Sequence, residues 1–322
     1  QSLEDPYSNY MTEEEFASLL QQTSGTYAGI GIVVTPGEDN LITVVSPIEG
    51  TPGERAGIKS GDKIIRVDGK EFLAENMDEA VKIMKGEPKT KVTLTIMRHD
   101  KNGNNDIFDL EITREIIRLI TVKSSIIDDN IGYIKITSFD DLTYKDFKTE
   151  LDKLGRKKIK GLIIDLRNNP GGLLDRCAQI TDELIGEGDI VYTETKSGQR
   201  EYIKSNKSMV DYPLVILING GSASASEILA GAIKDHGRGL LIGTTTFGKG
   251  VVQRIIDLTD GTGLKLTISE YFTPNGTNIH GVGIEPDIVV ELPEGVDEIG
   301  VDNLKEDTQL QRAIEEIKSK IK

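Results

Sequence analysis

Residues 219–227 read Asn-Gly-Gly-Ser-Ala-Ser-Ala-Ser-Glu, and the segments on either side predict the structure around them. The preceding apolar run, residues 213–218, is typical of a short buried strand. The following run, residues 227–234, has apolar side chains at helical spacing. The pattern therefore predicts a strand, a tight Gly-Gly turn and a helix N-terminus that carries three serines. We call residues 219–227 the serine turn.

A serine in such a turn has its hydroxyl beside unpaired backbone N–H groups and the positive end of the helix dipole. That position suits a nucleophile with an adjacent oxyanion site. Serines are also common N-caps, which need no catalytic role. The local pattern does not distinguish Ser222, Ser224 and Ser226 as nucleophiles.

Composition argues against several classes of protein. The chain has 322 residues, enough for two domains, and its net charge of −15 argues against a nucleic-acid partner. Cys177, the single cysteine, lies in an apolar helical pattern and is predicted to be a core thiol rather than a nucleophile. The three histidines are far apart in sequence, so no metal site is expected. No segment has the roughly 18 apolar residues of a transmembrane helix, but a first residue Gln1 suggests an upstream signal or membrane anchor.

Three glycine-containing stretches organise the region that follows the N-terminal arm. They are Gly-Ile-Gly-Ile at 29–32, Ser-Pro through Gly-Asp at 46–62, and Ile-Ile-Arg-Val-Asp-Gly at 64–69. Together they resemble a PDZ domain in the permuted form of bacterial proteases, in which a glycine loop and a strand edge bind a peptide C-terminus. The resemblance implies a peptide-binding segment formed by Ala28, Gly29, Ile30, Gly31 and Ile32. A dinucleotide site is not expected, because no third glycine opens a helix.

Beyond Arg114 the pattern alternates between strands and helices, which predicts a sheet covered by helices. The predicted strands are residues 131–136, 161–166, 190–194, 214–218, 240–243, 251–258 and 264–271. The predicted helices are residues 144–154, 173–185, 227–234 and 307–322, with a further helix at 12–22 in the N-terminal arm.

Residues 244–250, Thr-Thr-Thr-Phe-Gly-Lys-Gly, form a second informative segment, which we call the lysine loop. From Gly243 to Lys249 the spacing fits a phosphate-binding loop. However, Gly250 stands where Ser or Thr would bind magnesium, and a strand rather than a helix is predicted next. Nucleotide binding is therefore not expected.

Lys249 is instead a candidate general base for a serine hydroxyl. A lysine accepts a proton only when neutral, which requires burial that lowers its pKa. Phe247 and Val251 are the expected apolar neighbours. Alternation along a strand would place Gln253 on the same face as Lys249, where its amide could orient the amine. The alternative is a solvated surface lysine.

Residues 165–172, Asp-Leu-Arg-Asn-Asn-Pro-Gly-Gly, are predicted to form a second strand-to-helix turn, which we call the proline-glycine loop. A tetrahedral oxyanion needs two N–H donors, and one amide of this loop together with that of Ala225 would supply them. The alternative role is simply a tight turn.

Together these segments are similar to the carboxyl-terminal processing peptidases. The resemblance rests on the proline-glycine loop, the serine turn and residues 247–253 and 273–276, with support from Asp-Pro-Tyr-Ser at 5–8 and residues 283–287. It implies an α/β fold, in which a crotonase- and ClpP-like β–β–α protease core carries an inserted, β-rich PDZ domain. The implied divisions are an N-terminal arm at 1–25, the PDZ domain at 26–114, the Ser/Lys protease core at 115–306 and a C-terminal helix at 307–322.

The resemblance also assigns roles to particular positions. Ser224 matches the nucleophile, Lys249 the general base and Gln253 its supporting residue. The oxyanion donors match Ala225 and the Gly171-Gly172 pair, with the choice between the two glycines left open. Arg98 resembles an arginine that couples the PDZ domain to the active site in some relatives. No cofactor, metal or nucleotide is implied.

The implied function is cleavage of protein substrates near C-termini that the PDZ domain binds, with the PDZ domain gating the protease outside the cytoplasm. Residues 1–25 and 307–322 are candidates for homodimer contacts. One alternative is an inactive PDZ scaffold, against which the presence of Ser224, Lys249 and Gln253 argues. The other is a crotonase-type acyl-CoA enzyme, which would explain neither the PDZ domain nor the Ser/Lys pair.

Overall fold

The computed structural model describes residues 5–99, 104–128, 130–206, 208–296 and 298–321. The chain divides into an inserted unit, Thr26–Leu119, and a main unit formed by Gln1–Gly25 and Ile120–Lys322. The inserted unit extends past the predicted boundary at residue 114, because residues 115–118 pair with residues 26–29. Residues 1–4 of the predicted arm and residue 322 of the predicted C-terminal helix lie outside the described residues.

The chain forms nineteen strands and seven α-helices within the described residues. In chain order the strands are β1 (Asn9–Met11), β2 (Thr26–Gly29), β3 (Ile32–Pro36), β4 (Ile42–Pro47), β5 (Lys63–Val67), β6 (Lys70–Glu71), β7 (Lys91–His99), β8 (Asn105–Thr113), β9 (Glu115–Arg118), β10 (Val122–Ile127), β11 (Ile131–Ile136), β12 (Gly161–Asp165), β13 (Gly188–Glu194), β14 (Arg200–Ser205), β15 (Leu214–Ile218), β16 (Leu240–Gly243), β17 (Val251–Asp257), β18 (Gly263–Phe272) and β19 (Ile288–Val289). The helices are α1 (Glu13–Ser24), α2 (Pro52–Arg55), α3 (Met77–Met84), α4 (Thr143–Arg156), α5 (Leu174–Asp182), α6 (Ala225–Asp235) and α7 (Thr308–Lys320), with 3₁₀ turns at Ala74–Asn76 and Val301–Asn303.

The centre of the main unit is a sheet with strand order β10-β11-β12-β15-β16-β19. β10 runs antiparallel to β11, and the other neighbours are parallel. Every residue of β15 is buried. Ile216 and Ile218 belong to the core cluster that contains side chains of α4, α5 and α6, whereas Val215 and Leu217 pack with α7. Burial on both faces explains why this strand is a continuous apolar run.

The same topology brings the three candidate segments together. The proline-glycine loop, the serine turn and the lysine loop follow β12, β15 and β16, which are consecutive neighbours in the sheet. Because these strands are parallel, their carboxyl ends lie at one edge, which is where open α/β sheets place ligand sites.

A second sheet in the main unit has the order β1-β18-β13-β14, with β17 also paired to β18. It carries Gln253 on β17 and Lys265 on β18. β1 pairs with β18 through Asn9 opposite Lys265. The N-terminal segment is therefore part of this sheet, which the sequence analysis did not predict.

The inserted unit has a sheet of order β3-β4-β5-β7-β8, with β6 on β5 and a separate β2-β9 ribbon. α3 packs Ala80 and Met84 into an apolar cluster with side chains from these strands. In this order β3 is an edge strand, so the backbone groups along its outer side are not paired within the sheet.

No described helix has the length and apolarity needed to cross a membrane. Nor do the described residues bring three or more His, Cys, Asp or Glu side chains together in a way that could hold a metal ion.

Candidate active site

The structure distinguishes the three serines of the serine turn. Ser224 precedes α6 with φ 55° and ψ −113°, a sparsely populated conformation for a residue with a side chain. Ser222 and Ser226 are fully buried, whereas Ser224 is only half-buried. Strain of this kind is concentrated at functional sites, where the surrounding structure enforces it.

The hydroxyls of the other two serines have structural partners. Ser222 Oγ donates to the Leu166 carbonyl at 2.8 Å, and Ser226 Oγ donates to the Asn169 carbonyl at 3.0 Å. Both bonds join the serine turn to the proline-glycine loop. Their burial and these bonds make Ser222 and Ser226 unsuitable as nucleophiles.

Gly171 packs directly against the serine turn. Its φ is +102°, and a Cβ at this position would lie 2.7 Å from the Ala223 carbonyl oxygen and 2.9 Å from the Ser224 Cβ. Only glycine fits such an approach without displacing Ser224. The proline-glycine loop is therefore more than a turn, since it fixes the backbone behind Ser224.

The amides near Ser224 differ in their partners. The Gly171 N–H donates to Asn169 Oδ1 at 2.9 Å. Gly172 forms an isolated β-bridge with Phe139. No acceptor is described for the Gly172 amide. Ala225 is the first residue of α6, where helical N–H groups have no intrahelical partner. Within the described part of the chain, the amides of Gly172 and Ala225 therefore differ from that of Gly171 in having no described acceptor.

Glu227 joins the serine turn to the lysine loop. Its carboxylate is fully buried, and one oxygen accepts from the backbone amides of Ser224 and Lys249, each at 2.8 Å. The other oxygen accepts from Thr246 Oγ1 and the Gly248 amide, both at 2.6 Å. Glu227 has no predicted role, although the Ser-x-x-Glu spacing is that of a capping box and indicates its bond with Ser224.

The pKa of the Lys249 amine is lowered from its ordinary value, which is the direction expected of a general base. Burial is the main cause and the positive charge of Lys265 adds to it, while the negative charge of Glu227 acts in the opposite direction. Among the described residues no hydrogen bond joins the Lys249 amine to the Ser224 hydroxyl. Catalytic hydrogen bonds are often long without substrate, so this does not exclude proton transfer between them.

The surroundings of Lys249 differ from the prediction in two ways. Phe247 is 61% exposed, so it contributes little to burying the amine, whereas Val251 is buried as expected. Lys249 lies ahead of β17, which begins at Val251, so strand alternation does not relate it to Gln253. The Gln253 amide nitrogen instead donates to the Tyr7 carbonyl at 2.6 Å.

Cys177 is fully buried beneath the serine turn, as predicted. Burial raises the pKa of its thiol to about 12, and Sγ donates to the Ala225 carbonyl. The thiol is therefore protonated at neutral pH and forms part of the core under α6.

In the inserted unit the predicted peptide-binding segment runs from β2 into the edge strand β3. The carbonyl of Ile30 accepts from the Gly53 amide at 2.7 Å, and that of Gly31 accepts from the Thr51 hydroxyl at 2.9 Å. These bonds fix the loop within its own unit, while Ile32 starts the open edge.

Arg98 lies at the end of β7, within the inserted unit. Its guanidinium donates to both oxygens of the buried Asp62 carboxylate, at 2.6 and 2.7 Å, and to the Gly57 carbonyl at 2.7 Å. These bonds to Asp62 raise the pKa of Arg98. Its coupling role stays a prediction, since each of these contacts lies inside the inserted unit.

The sequence matches two family models. Residues 130–290 match peptidase family S41, and residues 43–98 match a PDZ domain. The first match contains the proline-glycine loop, the serine turn and the lysine loop. The second lies within the inserted unit.

Similar proteins carry related names. The chain is 43% identical over 297 residues to a carboxy-terminal-processing protease of Bartonella bacilliformis, covering 90% of this chain and 67% of that protein. It is 43% identical over 296 residues to the carboxy-terminal processing protease CtpA of Bacillus subtilis, covering 91% of this chain and 62% of that protein.

A solved structure is also similar over most of the chain. The photosystem II D1 C-terminal processing protease matches with a TM-score of 0.56 and 30% identity, over 91% of this chain and 80% of that one. The family models, the relatives and this structural match agree with the resemblance inferred from the motifs. The chain belongs to peptidase family S41, the family of carboxy-terminal processing serine proteases, and combines its mixed α/β peptidase fold with a PDZ domain.

Proposed function

We propose that this protein is a Ser/Lys endopeptidase that cleaves protein substrates near their C-termini. Neutral Lys249 takes the proton of the Ser224 hydroxyl, and Oγ attacks the peptide carbonyl to give a tetrahedral intermediate. The lysine ammonium then gives its proton to the leaving amine as an acyl-enzyme forms. Water, deprotonated by Lys249, releases the acyl group.

One observation carries this proposal. Ser224 is the serine of the turn with strained backbone and partial exposure, while buried hydrogen bonds occupy the hydroxyls of its two neighbours. Glu227 holds the backbone of Ser224 and that of Lys249 with a single carboxylate oxygen. The lowered pKa of Lys249 supports its role as base.

For the oxyanion we propose the amides of Ala225 and Gly172. The bond from the Gly171 N–H to Asn169 favours Gly172 over Gly171 as the donor. Gly171 then acts by packing behind Ser224, where its missing side chain allows the close approach.

For the fold we propose that the parallel sheet and α4–α6 correspond to a crotonase- and ClpP-like β–β–α core, residues 115–306 in the predicted division. For the PDZ unit we propose that a substrate C-terminus is bound by residues 28–32 and adds as a strand to the open edge of β3. Binding there is expected to raise the cleavage rate. Location outside the cytoplasm, an upstream anchor, a homodimer and coupling through Arg98 stay predictions of the resemblance.

The test is cleavage of an unfolded protein that ends in small apolar residues. We expect Ser224→Ala and Lys249→Ala to abolish cleavage while circular dichroism shows a retained fold. Ser197→Ala and Lys204→Ala remove an exposed serine and an exposed lysine and serve as matched controls, with activity like that of the wild type.

A fluorophosphonate probe followed by mass spectrometry identifies the nucleophile directly. Labelling of the wild type at Ser224, absent in Ser224→Ala, would support the proposal. Cleavage by Ser224→Ala equal to the wild type would reject it. If the wild type is silent until a peptide with an apolar C-terminus is added, that result would support gating by the PDZ unit.

A further inference from the structure

A turn near the N-terminus lies against the proposed base. Residues 5–8 read Asp-Pro-Tyr-Ser, and we call them the N-terminal turn. The Lys249 Nζ lies over the Tyr7 ring, 5.6 Å from its centroid. The Tyr7 carbonyl accepts the bond from Gln253 Nε2 at 2.6 Å. One residue of the arm therefore contacts both Lys249 and the glutamine predicted to support it.

The N-terminal turn is held in place by its own bonds and by β18. Asp5 accepts from the Tyr7 amide at 3.0 Å and from the Ser8 hydroxyl. The Ser8 hydroxyl oxygen in turn accepts from the Thr267 amide at 2.9 Å. The hydrogen bond from Ser8 is the main reason that the pKa of Asp5 is lowered, as expected for an ionised carboxylate that accepts these bonds. These bonds fix where Tyr7 lies.

The Tyr7 ring also contacts a second ring. The His280 ring meets it edge-on, with centroids 5.9 Å apart and planes at 72°. The His280 backbone packs against Gly250, the residue after Lys249, where a Cβ on Gly250 would lie 2.3 Å from the His280 nitrogen. Tyr7 therefore contacts both Lys249 of the lysine loop and His280, whose backbone packs against that loop.

We propose that Tyr7 is a positioning residue for the Lys249 base: the N-terminal turn holds its ring against the amine and its carbonyl against Gln253. This inference rests on the proposed Ser/Lys mechanism. The donated bond fixes the orientation of the Gln253 amide and leaves its oxygen available as an acceptor for another donor. The ring excludes water from one side of the amine.

The sign of the effect on Lys249 follows from two opposing contributions. An aromatic face attracts a cation, which favours the ammonium, but 5.6 Å is near the roughly 6 Å limit of that attraction. Removal of water disfavours the ammonium, and burial is the main cause of the lowered pKa of Lys249. Loss of the ring is therefore expected to raise this pKa and to reduce the neutral fraction of lysine at pH 7.

Other charged or titratable groups near Lys249 could also shift its pKa. They are Glu227 on α6 and Lys265 on β18, with His280 and Asp5 beyond Tyr7. Substitution of Tyr7 removes none of these charges, so a shift can be assigned to the ring.

The experiment measures kcat/KM against pH for Tyr7→Leu, Tyr7→Phe and the wild type. For Tyr7→Leu we expect about a tenfold to hundredfold loss at pH 7, with the acid limb moved to higher pH and partial recovery at alkaline pH. Tyr7→Phe keeps the ring and should restore the wild-type profile. Tyr10→Leu removes an exposed tyrosine of the same arm and should leave the profile unchanged.

A merely structural role would lower activity in parallel with the urea midpoint of unfolding and leave the acid limb in place, and that result would overturn the proposal. If Tyr7→Leu does not fold, the test uses Ser8→Ala. This variant removes the hydrogen bond that the N-terminal turn accepts from the Thr267 amide and leaves Lys249 and Gln253 unchanged. An unmoved acid limb in Ser8→Ala would then reject the proposal.

Ser224→Ala and Lys249→Ala are assayed alongside. Activity in either of them would reject the Ser/Lys mechanism itself. Inactivity in both, with a wild-type profile in Tyr7→Leu, would reject only the role of Tyr7.

Discussion

The main unit buries two carboxylate clusters that satisfy their charges in opposite ways. In the ionic cluster, formed by Asp165, Arg167 and Asp307, the three side chains are fully buried and paired as ions, with Arg167 bonded to Asp165 at 2.6 Å and to Asp307 at 2.7 Å. In the Glu227 cluster, the carboxylate accepts its four bonds from three backbone amides and one hydroxyl.

The difference bears on the proposed role of Lys249 as a base beside a buried carboxylate. Arg167 is needed to compensate two buried charges, so its partners hold it as a cation, and their bonds outweigh the opposing effect of burial on its pKa. Glu227 is satisfied by neutral donors and needs no ammonium beside it. Its charge raises the pKa of Lys249, but burial and Lys265 act more strongly and the net shift is downward. The ionic cluster holds its arginine as a cation, whereas the Glu227 cluster lies beside a lysine whose pKa is lowered.

The largest effect is expected from breaking the ionic cluster. Arg167→Met would leave two buried carboxylates without their common partner, which typically lowers the free energy of unfolding by about 3–5 kcal/mol. Urea unfolding followed by circular dichroism measures it. Arg200→Met breaks an exposed pair with Glu194 and should change stability far less, because exposed ion pairs are screened by solvent. Equal losses in the two variants would show that the ionic cluster is not what stabilises this region.

The next largest effect is expected from moving the backbone of Ser224 while the rest of the fold is kept. Gly171→Ala would push a methyl group against Ala223 and Ser224, and we expect about a hundredfold loss of kcat. Gly198→Ala is the matched control, because its φ is also positive, at +81°, with no atom within 4 Å of the added Cβ. Both variants share the cost of alanine at positive φ, about 1 kcal/mol, so the difference in kcat reports the displacement of Ser224.

Glu227→Gln probes the second cluster at nearly constant volume. The glutamine can accept with its oxygen, but its NH₂ group would face N–H donors that the carboxylate now satisfies. Leaving such buried donors unsatisfied costs about 1–3 kcal/mol. We expect kcat to fall with little change in KM, because the substitution moves Ser224 and Lys249 rather than the PDZ unit. A rise in KM alone would contradict this role.

Much of the fold could be predicted from the sequence, because the spacing of apolar residues indicates which face of a strand or helix is buried. The apolar run of β15 and the helical spacing of α6 predicted the central strand-turn-helix unit. The helix predicted at 12–22 is α1, and Thr12 and Glu15 form a capping box at its start. β1 and β9 were missed, since each is only three or four residues long and is recognised by its pairing partner rather than its own pattern. β10 and β14, with six residues each, were missed as well.

The candidate site could be predicted only in part. Motifs indicated the three loops, but the choice of Ser224 over Ser222 and Ser226 depended on the resemblance, because the contacts that occupy the other hydroxyls come from a loop more than 50 residues away. Phe247 is exposed and Tyr7 takes the place expected for it. Asp307, which completes the ionic cluster from the C-terminal segment, gave no local signal at all.

The smallest effect is expected from removing the charge of Lys265, which opposes that of Glu227 in setting the pKa of Lys249. The positive charge of Lys265 contributes to lowering the pKa of Lys249, so Lys265→Gln should raise that pKa and move the acid limb of kcat/KM to higher pH. Lys265→Arg keeps the charge and should keep the profile. An acid limb that does not move in Lys265→Gln would mean that burial alone offsets the attraction of Glu227. The lowered pKa of Lys249 would then depend on the packing around its amine, and Tyr7 rather than Lys265 would be the residue that controls this pKa.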